Sequence, residues 1–149
     1  MSARPRIVVL VGLPGSGKSF WAARQRAGVL SSDAVRALLT GTEENQDVNS
    51  LVFQTLRFLL KMRLRAGAGV TIIDATSLTA RERRPYILLA AALGCSSEAV
   101  FFDTPLDTCK ARNAARSRVV PGDVMNRFAA RLTPPSTDEG FAKVKVIKP

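Results

Sequence analysis

The sequence predicts an α/β fold in which five parallel strands form one sheet with helices on both faces. Three observations predict it. Short β-branched runs alternate with segments of helical periodicity along the whole 149-residue chain. The first run, Arg6 to Val11, is apolar after its opening arginine, as a strand buried on both faces requires, and a Gly-rich turn follows at once. Several of the later runs end in small or acidic residues, so that Gly12, Ser31, Asp74 and Asp103 are expected to share the crevice beyond the carboxyl edge of the sheet.

Taken in order, the first strand leads into a helix over Lys18 to Arg26. Val29 to Ser31 gives a short second strand, and Ser32 and Asp33 open a helix to Leu39. Thr40 to Asp47 reads as a polar loop. Val48 to Ala66 then carries Leu51, Val52, Leu56, Leu59, Leu60 and Leu64 at helical spacing and is the longest helix. Val70 to Ile73 is the third strand, ending at Asp74. Ala80 to Leu93 is helical, Ala99 to Phe102 is the fourth strand and Pro105 to Ala115 is helical again. Val124 to Leu132 forms a short helix, Thr133 to Gly140 a loop, and Lys143 to Ile147 the last strand. With no internal repeat and no linker, the chain is expected to be a single domain over 1–149, with a core at about 4–111 and 141–149 and a lid at about 112–140.

Composition narrows the chemistry. Hydrophobic residues make up 46% and charged residues 23%, the balance of a globular domain rather than a disordered or fibrous one. The apolar runs are far shorter than the ~20 residues a membrane-spanning helix needs, and the first residues are not patterned as a leader, so a cytoplasmic protein without a membrane partner is expected. There is no His, and Cys95 and Cys109 have no metal-ligand spacing, which removes zinc sites and Ser-His triads. Twenty-two Lys and Arg against twelve Asp and Glu give a net charge of +10, which attracts polyanions and makes a nucleic-acid partner plausible; solubility alone would also account for it.

The chemistry is concentrated in a few places. Gly12-Leu13-Pro14-Gly15-Ser16-Gly17-Lys18-Ser19 matches the phosphate-loop pattern GxxxxGK[ST] between a strand and a helix. Its glycines, with Ser16 and the neighbouring Phe20, are expected to wrap the phosphates of ATP; Lys18 reaches the β- and γ-phosphates and the Ser19 hydroxyl ligates Mg²⁺. Asp74, at the end of a strand, is expected to hold the metal or its waters; capping the turn through Thr76 or Ser77 is its other reading. In a chain without His, the carboxylate placed to deprotonate an acceptor hydroxyl is Asp33, with Arg36 three residues on to grip an anion on the acceptor. The alternative for this pair is a helix cap and its surface partner.

From Cys109 to Leu132 basic residues dominate. Arg112 and Arg116 project from one helical face and Pro121-Gly122 turns the chain into a further helix, so an arginine-rich helical lid is expected to close these two side chains over the phosphates, with Arg116 catalytic. On the long helix Arg57, Lys61 and Arg65 stand four apart and read as a solvent face, although such a stripe can also track a nucleic-acid backbone. Aromatic residues, at 6%, offer no interleaved stacking platform.

With these residues in view, the chain resembles the kinase domain of bacterial polynucleotide kinase-phosphatases and, more distantly, the phage polynucleotide 5′-kinases, members of the P-loop kinase superfamily. The resemblance runs nearly end to end through GLPGSGKS, the SSDAVR segment, the IIDAT strand end, Arg112-Asn113 with Arg116, Arg118 and Val120-Pro121, and Glu139-Gly140-Phe141. Ser77 stands where the family commonly has Asn. The resemblance implies a P-loop kinase fold that passes the γ-phosphate of ATP to the 5′-hydroxyl of a DNA or RNA end. It implies Asp33 as general base, Arg36 on the acceptor's 3′-side phosphate, Arg112 and Arg116 on ATP, and Arg83 among the substrate-binding residues. The competing readings are a kinase of an antibiotic, sugar or nucleoside, and a non-kinase ATPase module, which leaves Asp33 without a task.

Overall fold

A computed structural model describes residues 4–43, 45, 47–117 and 119–149. Five parallel strands form one sheet in the order β2-β3-β1-β4-β5: β1 Arg6–Val11, β2 Gly28–Ser31, β3 Val70–Asp74, β4 Ser96–Phe102 and β5 Lys143–Ile147. The helices are α1 Lys18–Ala23, α2 Ser32–Thr40, α3 Asn49–Arg65, α4 Ala80–Ala92, α5 Leu106–Ala114 and α6 Gly122–Arg131, with a 3₁₀ turn at Thr137–Glu139. None of these helices is long and apolar enough to cross a membrane.

The central strand explains the layering. Alternate side chains of a strand point to opposite faces, so Ile7, Val9 and Val11 meet Val52, Leu56 and Leu60 of α3 and Tyr86 and Ala90 of α4 in one core. Val8 and Leu10 face the other way, onto Ile72, Val100, Phe102 and Ala22 of α1. Trp21 closes that second layer with an edge-on contact to Phe102 at 5.9 Å between ring centroids. A third cluster, Leu13, Leu78, Cys109, Val120 and Met125, binds α5 and α6 to the phosphate loop and to the segment after β3.

Three departures from the sequence reading stand out. β4 begins at Ser96 rather than Ala99, because Ser96, Ser97 and Glu98 pair with Arg6, Ile7 and Val8, and Ser97 is buried despite its hydroxyl. α1 ends at Ala23 rather than Arg26, since the next amides turn back in i→i+3 fashion onto Trp21 and Ala22. The loop before β5 contains the 3₁₀ turn, fixed by a capping box between Ser136 and Glu139.

Candidate active site

The phosphate loop occupies the turn between β1 and α1. Gly15 and Gly17 have φ of 81° and 107°, the left-handed region that only glycine enters freely. Gly15 also has a steric reason to lack a side chain: a Cβ there would lie 2.4 Å from the carbonyl oxygen of Cys109, so α5 rests directly on the loop. Lys18 is folded back, its Nζ donating to the carbonyls of Gly12 at 2.9 Å and Leu13 at 2.8 Å. Burial pushes the Lys18 ammonium down to about 8, opposed first by the charge of Asp74 and reinforced by that of Arg116. Ser16 is buried and its Oγ has no hydrogen-bond partner among the described residues. A buried ammonium held only by carbonyls and an orphan hydroxyl are what a phosphate would satisfy, so the residues present fit ATP.

At the start of α1 the Ser19 hydroxyl donates to Asp74 Oδ2 at 2.8 Å. No hydrogen bond joins Asp74 to Thr76 or Ser77, so the turn-capping reading of Asp74 gives way. A hydroxyl and a carboxylate side by side are hard oxygen donors, and no group of three potential metal-ligating residues occurs among the described residues. That donor set fits Mg²⁺, which keeps several waters and shares substrate phosphates instead of filling a protein cage.

Asp33 lies in the first turn of α2, but the cap of that helix is Ser31, whose Oγ accepts from the Ala34 amide at 3.2 Å. The capping reading of Asp33 therefore gives way too. Its Oδ1 accepts from Arg36 at 3.0 Å and its Oδ2 lies 3.6 Å from the guanidinium of Arg116. Arg36 is almost wholly buried and also donates to Asn49 Oδ1 at 2.6 Å, which ties α2 to the beginning of α3.

One cleft of about 760 Å³ joins these groups. Gly15, Gly17, Lys18, Ser19, Phe20, Asp33, Arg36, Asp74, Arg112 and Arg116 all line it. Gly12 and Ser16 sit behind the loop, buried. The lining holds Lys18 and six arginines, Arg36, Arg57, Arg81, Arg112, Arg116 and Arg131, against Asp33, Asp74 and Glu82. Such an excess of cations in a partly enclosed space selects for anions. Phe20 is 70% exposed at the rim with the Arg24 guanidinium 5.3 Å from its ring centroid.

Arg83 corrects the sequence reading. It is fully buried and does not line the cleft; its Nε and Nη2 donate to Glu139 at 2.8 and 3.0 Å and its Nη1 to the Ser77 carbonyl at 2.9 Å. Those bonds fix the segment after Asp74, where Ser77 holds a φ of 47°, a conformation that Asn tolerates better than most residues. Arg83 thus braces the site from behind. Sequence reasoning also missed Asn49 as the partner of Arg36. It did not foresee that the Asn113 side chain would clip α5 to α6 by exchanging hydrogen bonds with the backbone of Val120. The expected solvent face of α3 does not hold at Arg57, which lines the cleft; Arg63, nearby on the same helix, turns inward to the Thr71 hydroxyl and the Val70 carbonyl. Arg118, expected in the lid, lies outside the described residues.

Comparison with known proteins agrees on the architecture. No curated protein matches the sequence. Among solved structures the chain is similar to a chain of the Pnkp1/Rnl/Hen1 RNA repair complex, with a TM-score of 0.73 at 18% identity over 89% of this chain; the match covers 45% of that chain, so this protein spans about half its length. It is also similar to a sugar kinase from Janibacter sp. HTCC2649, with a TM-score of 0.66 at 21% identity over 98% of this chain and 86% of that one. The APS kinase CysC from Mycobacterium tuberculosis, solved with AMPPNP and APS, gives a TM-score of 0.62 at 23% identity over 98% and 89% of the two chains. Likeness at these identities establishes the fold. Residues 7–135 match the model of the AAA domain family. With its phosphate loop between the central strand and α1, the chain belongs to that family and has an α/β fold of the P-loop kinase type.

Proposed function

We propose that the protein transfers the γ-phosphate of ATP to the 5′-hydroxyl of a DNA or RNA end. The observation that carries the reading is the position of Asp33: a carboxylate spared from capping and held between Arg36 and Arg116, in the same cleft as Lys18 and Ser19. Asp33 accepts the proton of the acceptor hydroxyl as that oxygen bonds to the γ-phosphorus, and ADP leaves with the electron pair of the broken bond. Lys18, Arg112 and Arg116 balance the charge on the transferring group and the departing phosphates. Mg²⁺, held by Ser19 with Asp74 beside it, supplies further charge neutralisation at the phosphates. Arg36, anchored by Asn49, bonds the base at 3.0 Å and suits a phosphate on the 3′ side of the acceptor.

A second reading, phosphorylation of a small hydroxyl compound, is favoured by the commitment of Arg36 to Asp33 and Asn49, which leaves only 5% of its side chain exposed. It is favoured as well by the likeness to a sugar kinase and an APS kinase. Transfer of labelled γ-phosphate to a panel of 5′-hydroxyl oligonucleotides, nucleoside 3′-monophosphates, nucleosides and sugars, with Lys18→Ala as the inactive control, separates the two. Labelling confined to the nucleotidic acceptors supports the proposal, and labelling confined to sugars or bare nucleosides overturns it.

A further inference from the structure

The acceptor side of the cleft extends well past Asp33. Asn49, Phe53 and Arg57 follow one another at i, i+4 and i+8 on α3, and all three line the cleft. At 1.5 Å per residue they span about 12 Å along the helix axis. One end of this row, Asn49, holds Arg36. At the other end Arg57 approaches Tyr86 of α4: burial pushes the Tyr86 phenol up to about 12, and the Arg57 guanidinium is close enough to oppose that shift.

Among the described residues three of the seven cations lining the cleft already hold a carboxylate, and Arg57 is not one of them. Arg36 and Arg116 are paired with Asp33, and Arg131 with Glu82. Arg57, and Arg81 at the start of α4, have no carboxylate partner among the described residues, and Tyr86, though 3% exposed, makes no hydrogen bond among them. Guanidiniums without a carboxylate partner and a phenol without a hydrogen-bond partner, lining one cleft already rich in cations, form a place for an anionic oxygen. The rise of about 12 Å along α3 from Asn49 to Arg57 exceeds what a single phosphate would bridge.

We propose that the Phe53 and Arg57 face of α3, with Tyr86 and Arg81, is a second acceptor subsite that holds the next phosphate of a strand whose first phosphate lies at Arg36. Phe53, one turn from each end of the row, offers its ring to the intervening sugar or base. This inference rests on the polynucleotide reading and deepens it: the acceptor is then a strand of at least two phosphates, not a nucleoside monophosphate.

The test compares a nucleoside 3′-monophosphate with a 5′-hydroxyl trinucleotide and a decanucleotide on the wild-type protein and on Arg57→Ala, with Phe53→Ala as a second variant. The wild type should have a KM about tenfold or more lower for the trinucleotide than for the monophosphate. Arg57→Ala should erase that advantage by raising KM for the longer acceptors, with kcat within about twofold and the monophosphate KM unmoved. For decanucleotide binding, Arg57→Ala should reduce the slope of log affinity against log salt by about 0.7, the share of one phosphate on a single strand. Arg57 has no hydrogen-bond or ion-pair partner to lose among the described residues, so thermal unfolding of the variant should coincide with that of the wild type. If oligonucleotides are phosphorylated with no length advantage, or Arg57→Ala alters all acceptors alike or none, the subsite is refuted while the polynucleotide reading stands. If no nucleotidic acceptor of any length is phosphorylated, that reading falls and the subsite with it.

Discussion

Substituting Glu139 by Gln removes one charge and almost no volume, yet it should be among the most damaging single changes in the chain. Glu139 Oε1 accepts from Arg83 Nε at 2.8 Å, and Oε2 accepts from Arg83 Nη2 at 3.0 Å and from the Ser136 amide at 2.9 Å. Arg83 has no exposure to water, so after Glu139→Gln its guanidinium stays buried with no counter-charge, held by the Ser77 carbonyl and the one remaining side-chain oxygen, and one contact becomes donor against donor. Removing one member of a buried pair costs about 3 to 5 kcal/mol. The Glu139 side chain retains 14% exposure, which lets some water in and points to the lower end, about 3 kcal/mol. At roughly 2 to 4 °C per kcal/mol for a domain of this size, Tm should fall by about 6 to 12 °C. Urea unfolding and calorimetry measure this directly. The double variant Arg83→Met with Glu139→Met should lose less than the sum of the two single changes, because no charge is then left stranded. A loss below about 1 kcal/mol in Glu139→Gln, or additive single changes, would refute the account of Arg83 as a brace whose charge depends on Glu139.

The remaining predictions concern the cleft. Because burial lowers the Lys18 pKa to about 8 and a bound phosphate favours the ammonium, ATP affinity should be full below pH 8 and fall by up to about tenfold per pH unit above it, with proton uptake on binding near pH 8.5. Calorimetry in buffers of different ionisation enthalpy reads that uptake, which Lys18→Arg should abolish. Asp33→Asn should lower transfer by about 100-fold or more while leaving ATP affinity near wild type, whereas Ser31→Ala should cost about 1 kcal/mol of stability and spare the proton transfer. Unchanged transfer in Asp33→Asn would remove Asp33 from the proton transfer. Gly15→Ala should weaken ATP binding and lower Tm, since φ of 81° and a Cβ 2.4 Å from the Cys109 carbonyl both oppose it; a folded variant with unchanged affinity would show that the loop does not need α5 against it.

What could be read in advance followed from short-range rules. The GxxxxGK[ST] spacing encodes its own backbone, and the apolar Ile7 to Val11 run needs a sheet neighbour on each side, so the phosphate loop and the parallel sheet were both legible. Asp33 and Arg36 were legible because three residues along a helix bring side chains together. The pairing of Arg83 with Glu139 was not, since no local rule joins residues 56 apart, and an arginine among the charged residues opening α4 looks no different from Arg81 or Arg84. Arg57 was misjudged for a related reason. A stripe at four-residue spacing identifies one face of α3, but only the tertiary arrangement decides where that face turns from solvent to cleft. The start of β4 was hidden by composition, as Ser96, Ser97 and Glu98 carry no apolar pattern and become strand through their neighbour β1.

The central place of β1 also bears on synthesis. Its two neighbours, β3 and β4, both come much later in the chain, the nearer at Val70. At roughly 5 to 20 residues per second, a ribosome leaves the Ile7 to Val11 segment without either partner for several seconds. A short, β-branched, nearly uncharged stretch is the kind of sequence that pairs with copies of itself. During that interval the nascent chain depends on chaperones or on transient cover from α1, and a fast or crowded expression system should send part of it into aggregates even though the finished sheet hides the strand completely.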